Sequence, residues 1–286
     1  MVSSATLSRT RGKVIYWAVF GLVMVLFAGV FLFPLFWAVT GGMRSMQDLG
    51  RNNPTFLPQH WLPSNYRTAW DQMELGHYFL NTVIQAGGGW AAELVLLTLA
   101  AFSLSRLRPR FGYIVTGAIL VSLMLPIYAL VVPEYLIVSR LPFVHSSLLD
   151  NPLGIWLPAV ANAFNFVVLK RFFDQIPEEM MEAAEIDGAG PLRRLWSIVL
   201  PLARPVLAVV SIIAFVALWQ NFLWPLLVYS SNTDNAPISV ALQALSDDTQ
   251  QNIVLAASVL ASIPTVAVFL AFQRHIVAAA TALGAA

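Results

Sequence analysis

The chain has 286 residues, 58% of them hydrophobic and 11% charged, with a mean hydropathy of +0.71 and a net charge of +1. Soluble domains carry about 25% charged residues, so this composition argues against a water-soluble protein and for an all-α chain embedded in a bilayer. Cysteine is absent, which excludes disulfides and thiolate metal sites, and His60, His77, His145 and His275 are scattered without ligand spacing.

A bilayer-crossing helix needs about 20 mostly apolar residues. Residues 14–39 supply the first such run without a single charge. Arg9, Arg11 and Lys13 precede it as they would a signal peptide. No small-residue cleavage site follows, however, and the run exceeds a signal's apolar core, so it is expected to remain as a helix. In the following loop Trp61, Tyr66 and Trp70 are spaced as interfacial anchors. A loop lying on the membrane and a contact with an extracellular partner both fit. The remaining spans are 78–105, interrupted by Glu93, then 111–139, interrupted by Glu134, then 153–169, 206–229 and 253–272. Gly87, Gly88 and Gly89 permit a close helix approach or a bend in the second span. Pro126 and Pro133 predict a broken or kinked third span.

With six spans and the N-terminus inside, 12 of the 16 Lys and Arg residues lie in the cytoplasm. Arg44, Arg51, Arg67 and Arg140 lie outside. Basic residues concentrate on the cytoplasmic side of membrane proteins, so both termini are expected there. Residues 1–13 and 277–286 then flank a single transmembrane domain, 14–276.

Between spans four and five, residues 177–201 read as a helical hairpin on the cytoplasmic side. Pro177 suits a helix start, and Glu178 and Glu179 favour the positive end of its dipole. Asp187-Gly188 ends this helix in the manner of a left-handed cap. Pro191 opens a second helix with one apolar stripe, Leu192, Leu195, Trp196, Val199 and Leu200, which Pro201 and Pro205 are expected to close. Glu178, Glu182 and Glu185 share a face that the negative inner leaflet would repel. A protein groove accounts for acid, alanine and turn together.

The run "EAAEIDGAGPLRRLWSIVLP" resembles the EAA signature of permease subunits in bacterial ABC importers. Its elements here are Glu182, Ala183, Ala184, Gly188, Ile198, Leu200 and Pro201, with Asp187 between. "LKRFFDQIPEEMMEAAEIDGAG", "ALWQNFLWPLLV" and "FQRHIVAAATALGA" narrow the resemblance to the carbohydrate branch and its MalG-like members. The resemblance implies that these residues couple the chain to a cytoplasmic ATPase. It implies as partners a second, MalF-like permease, a dimer of MalK-like ATPase subunits and an extracytoplasmic sugar-binding protein, all at the bacterial inner membrane. ATP and Mg would belong to the ATPase, because no phosphate-binding G-x-x-x-x-G-K-[ST] run exists here. The chain itself would bind no cofactor and catalyse no reaction, and nothing suggests nucleic acid. Two features depart from the pattern. Trp219-Gln220-Asn221-Phe222 lacks the acid that relatives carry before the Phe, and the tail ends in "ALGAA" without the usual Gly and Lys.

Polar groups at membrane depth are candidates for a solute pathway: Glu93, Asn162, Asn165, Trp219, Gln220 and Asn221. Amides with aromatic faces, here Trp156, Phe164, Trp219 and Trp224, suit a sugar, yet interhelical hydrogen bonds need the same residues. Glu93 fits either a pathway or a packing role, and Glu134 fits a structural one. Three function classes follow: the permease of an ATP-driven importer for a sugar or another polyol-like solute such as glycerol phosphate, a secondary transporter, and a non-transport scaffold. No internal repeat supports the second, and neither the second nor the third has use for the hairpin.

Overall fold

In hydrocarbon a backbone can satisfy its N–H and C=O groups only within its own segment or a closed barrel, and these apolar runs fold accordingly as helices. The computed structural model describes residues 10–51, 55–142, 146–230 and 233–284; Arg9, His145 and the last two tail residues lie outside them. Among the described residues four helices are long and apolar enough to cross a membrane, and two bent pairs raise the number to six if each pair is one span. No strand occurs among the described residues. The fold divides into two compact units, one within 10–73 together with Asp248–Leu260, the other Glu74–Asp247 together with 261–284.

In the first unit α1 (Thr10–Gly42) is apolar all round, and none of its most hydrophobic stretch is buried. α2 (Met46–Leu49) is capped by Ser45, whose side chain accepts from the Asp48 amide, and α3 (Ser64–Gln72) follows. They meet around Arg44, which is fully buried. Its guanidinium lies 4.7 Å above the Trp37 ring and donates to the Phe56 carbonyl at 3.1 Å. Asn65 donates to the Gly42 and Arg44 carbonyls, both at 2.9 Å, and Asn252 donates to Arg44 at 3.0 Å. A buried charge costs several kcal/mol unless satisfied. The guanidinium finds the Thr55 and Phe56 carbonyls, the Trp37 face and the Asp48 carboxylate at 4.0 Å, whereas Asn65 and Asn252 satisfy the Arg44 backbone carbonyl. Trp61 and Trp70 stay exposed, whereas Tyr66 donates to the Val39 carbonyl.

The second unit is built on α4 (Leu75–Phe102), which continues through a π-turn at Ser103–Leu107. α5 (Gly112–Ser122) and α6 (Ile127–Ser139) meet at 115°, and α7 (Leu153–Ala159) and α8 (Ala163–Asp174) at 46°. α9 (Glu178–Ile186) and α10 (Pro191–Arg194) form the hairpin. A second π-turn, Leu195–Val199, leads into α11 (Leu200–Gln220). α12 (Leu223–Val228) and α13 (Ile238–Ser246) follow, and α14 (Gln251–Gly284) starts within the first unit and continues in the second. α4 packs against α7, α8 and α11. Leu97, Ala101 and Phe102 of α4 interlock with Phe166, Leu169 and Phe173 of α8 and with Ala203 and Val210 of α11.

Three expectations need correction, and one gains detail. The third span is broken as its prolines predict: it breaks between Leu123 and Pro126, where Pro126 has no N–H to continue the ladder, while Pro133 is tolerated inside α6. The fifth span does not begin at 206 or run unbroken to 229. Helix continues from Pro191 to Gln220, breaks at Asn221-Phe222 and resumes as α12. Pro201 and Pro205 therefore close nothing. The π-turn places the Leu200 N–H on the Leu195 carbonyl, and Pro201 enters the first turn of α11, where a missing N–H is tolerated. The apolar stripe also splits: Leu195 and Val199 are buried, whereas Leu192 and Trp196 are exposed.

Gly88 explains one close contact of the bundle. A Cβ there would lie 2.1 Å from the Trp156 ring, so the absence of a side chain lets that indole lie on α4 and donate to the Gln85 carbonyl at 3.1 Å.

Candidate functional site

The hairpin is assembled by local rules and then fastened by tertiary ones. Pro177 is the N-cap of α9, with Glu178 and Glu179 in the first turn. At the other end Ala189 N–H donates to the Ala184 carbonyl at 2.8 Å and Gly188 N–H to the Glu185 carbonyl at 2.9 Å. This pair of bonds is a Schellman cap. It requires a left-handed residue, and Gly188 has φ +77°. Gly190 and Pro191 then start α10.

Met181 and Leu195, one from each arm, are buried with Ile176 in the same apolar cluster as Phe173 and Val199. The arms are also cross-linked: Arg194 pairs with Glu185 at 2.8 Å. At the base, Arg106 donates to the carbonyls of Phe173 and Ile176, satisfying the end of α8 and its exit. Ser105 donates to Asp174 at 2.6 Å, Lys170 pairs with Asp174 at 2.9 Å, and Arg108 reaches Glu178 at 3.3 Å. The hairpin therefore has a base fastened to α4 and α8.

What it presents outward is a mixed surface. Glu182, Ala183, Asp187 and Gly188 are exposed, Ala184 is half-buried, Ile198 and Leu200 pack partly against the core, and Pro201 is exposed. Beside them Ile186 is 87% exposed and Trp196 70%. Sequence reasoning missed Met181, Ile186, Arg106 and the Arg194–Glu185 pair. Met181 carried no usable signal, since at i+3 from Glu178 and i−4 from Glu185 it falls beside the acidic residues on α9. The others depend on partners elsewhere in the chain.

The candidate pathway residues separate into two groups. Glu93 on α4 and Asn165 on α8 are both buried, and Asn165 Nδ2 donates to Glu93 Oε1 at 2.7 Å. Asn162 is the N-cap of α8, its Oδ1 accepting from the Asn165 amide at 3.1 Å. These three converge at the bend between α7 and α8. Trp219, Gln220 and Asn221 lie at the end of α11. Trp219 is buried against Phe79 and Phe215, Gln220 is exposed, and Asn221 is half-buried and accepts from Ser239 through its carbonyl. Of the aromatic candidates, Trp224 is buried and donates to the Gly154 carbonyl at 3.0 Å, while Phe164 is exposed. Another polar cluster had no sequence signal: His77, Asn81 and Gln85 along α4 donate to the carbonyls of Asp234 and Asn235, tying α4 to the turn before α13. No group of residues able to hold a metal ion occurs among the described residues.

Residues 96–281 match the family described as binding-protein-dependent transport system inner membrane component. Among curated relatives, the diacetylchitobiose uptake system permease protein NgcG of Streptomyces coelicolor is 29% identical over 89% of this chain and 84% of its own length. The sn-glycerol-3-phosphate transport system permease protein UgpE of Yersinia pestis is 30% identical over 90% of this chain and 92% of its own. Among solved structures, a chain of a bacterial ABC transporter involved in import of the acidic polysaccharide alginate superposes with a TM-score of 0.79 at 24% identity. That superposition covers 93% of this chain and 98% of the other, and it shows a shared fold.

Proposed function

The chain belongs to the family of binding-protein-dependent transport system inner membrane components, and from that premise we propose that it is one of two permeases of an ATP-driven importer, coupled to its motor through the 177–201 hairpin. The observation that carries the coupling role is the hairpin's construction. One side is locked into the core by Met181 and Leu195, while Glu182, Ala183 and Ile186 face outward. An apolar residue as exposed as Ile186, ringed by acids, suits a groove with an apolar floor and basic rim on a partner protein. Lipid fits less well, because the acidic face opposes an anionic leaflet. The assembly would comprise this chain, a second MalF-like permease, two MalK-like ATPase subunits that hold ATP and Mg, and an extracytoplasmic binding protein. In it both termini and the hairpin face the cytoplasm.

The solute class rests on the character of the candidate residues that keep some exposure. Asn162, Gln220 and Asn221 are neutral amides, whereas Glu93 and Asn165 are buried and satisfy each other. Neutral amides suit the hydroxyls of a carbohydrate better than a phosphate. The likeness to permeases named for sn-glycerol-3-phosphate keeps a polyol phosphate as the second reading.

The coupling role is tested by co-purification with the cognate ATPase and by ATP turnover stimulated by the loaded binding protein. Gly188→Ala places a Cβ in the left-handed region at a cost of about 1–2 kcal/mol. The variant is expected to lower complex formation about tenfold at limiting ATPase. Glu182→Ala is expected to lower stimulated turnover with the membrane fold intact. Wild-type assembly and turnover in both variants would overturn the role.

A further inference from the structure

At the foot of α5 the second unit opens into a groove of about 500 Å³, distinct from the hairpin's outward face. One end is polar and basic, lined by Arg108, Lys170 and Asp174, with Arg110 exposed next to it in sequence. The other end is mostly apolar and runs along α5 past Gly112, Tyr113, Thr116 and Gly117 to Leu120. A Cβ at Gly117 would meet nothing within 4 Å, so this stretch of wall is open. Gly112 to Leu120 covers ~12 Å of helix, enough to hold several methylenes of an acyl chain.

The basic end is suited to an anion. α5 begins there, and the first N–H groups of a helix carry partial positive charge. Arg108 and Lys170 already have acidic neighbours, Glu178 at 3.3 Å and Asp174 at 2.9 Å. Both pairs include a substantially exposed member, and such pairs contribute about 0–1 kcal/mol, so a phosphodiester can compete for the guanidinium, which binds phosphate in a bidentate fork. Asp174 also accepts from Ser105, and the charge of the lining residues remains net positive. A free phosphate would leave the apolar half of the groove unused, and a quaternary ammonium headgroup would set a further cation beside Arg108.

We propose that this groove is a binding site for an anionic glycerophospholipid. Its phosphodiester lies between Arg108, Lys170 and the start of α5, and one acyl chain lies along Gly112, Gly117 and Leu120. The proposal rests on the chain spanning a membrane and is independent of the coupling and solute assignments. Because Arg108 also reaches Glu178 at the start of α9, the bound lipid would sit against the base of the hairpin.

Native mass spectrometry of the full chain in detergent micelles, offered phosphatidylglycerol or phosphatidylethanolamine at equal concentration, tests it. Wild type is expected to retain phosphatidylglycerol about fivefold more, roughly what one basic residue contributes near an anionic surface. Arg108→Gln with Lys170→Gln should abolish the preference. Gly117→Leu should lower retention of both lipids by filling the groove without changing charge. Arg67→Gln with Arg140→Gln, exposed basic residues elsewhere, should change nothing. Equal retention of the two lipids by wild type would overturn the proposal, as would an equal effect of the Arg67/Arg140 pair. Competition by inorganic phosphate or glycerophosphoglycerol as strong as that by the lipid would also overturn it, by assigning the site to a free phosphate.

Discussion

Asn165 is fully buried and Glu93 nearly so, and each is the other's hydrogen-bond partner across 72 residues of sequence. A buried amide that loses its acceptor keeps the whole desolvation cost, about 1–3 kcal/mol. Glu93→Gln retains an oxygen in the accepting position and is expected to preserve stability, whereas Glu93→Leu should lower it by about 1–3 kcal/mol. Thermal unfolding followed by size-exclusion recovery in detergent reads the difference, and equal stability of the two variants would refute a structural role for this bond. The sequence marked both residues as polar groups at membrane depth. It offered no means of pairing them, because hydrogen-bond partners on different helices leave no trace in one chain's periodicity. The same holds for Arg106, whose task is to satisfy two carbonyls at the end of α8.

Within elements, legibility tracked how local the determining chemistry is. The first arm of the hairpin was readable because Pro177, the two leading glutamates and Gly188 each act over one turn, and the observed cap at Gly188 is the one its sequence demands. The second arm was misread where a non-standard turn intervened. A proline normally ends a helix, but the π-turn at Leu195–Val199 shifts the ladder by one residue and carries Pro201 into an ongoing helix. Leu192 and Trp196 also leave the buried face that Leu195 and Val199 keep, a narrower buried stripe than the apolar spacing alone suggests. π-turns occur often at functional sites, and this one lies between hairpin and membrane helix, where the proposed coupling would have to pass. Under that proposal the coupling depends on the anchor. Met181→Ala removes a buried side chain at a cost of about 2–5 kcal/mol and loosens the hairpin's base without touching its outward face. The expected result is retained binding to the ATPase with loss of solute-stimulated ATP turnover. Parallel loss of both would mean that Met181 shapes the docking surface itself.

At the scale of the whole molecule the open physical variable is direction. The bundle is apolar on its outside, as lipid requires, with exposed Ile114, Val121, Ile137 and Leu270 among many, and lipid exposure says nothing about which end faces the cytoplasm. The distribution of Lys and Arg does, through the potential and translocation machinery that bias basic loops inward. Twelve of sixteen such residues lie on one side in the six-span reading, and the hairpin lies on that side too. Coupling to a cytoplasmic ATPase demands the same orientation for an unrelated reason, so a single measurement tests both. With no native cysteine, Glu179→Cys and Asp247→Cys give one reporter each at exposed positions that the six-span reading puts on opposite sides of the membrane. A membrane-impermeant maleimide applied to intact spheroplasts is expected to label Asp247→Cys and to leave Glu179→Cys unmodified until the membrane is permeabilised. The opposite pattern would invert the protein, remove the hairpin from any ATP-driven partner and place the acidic face of α9 outside the cell.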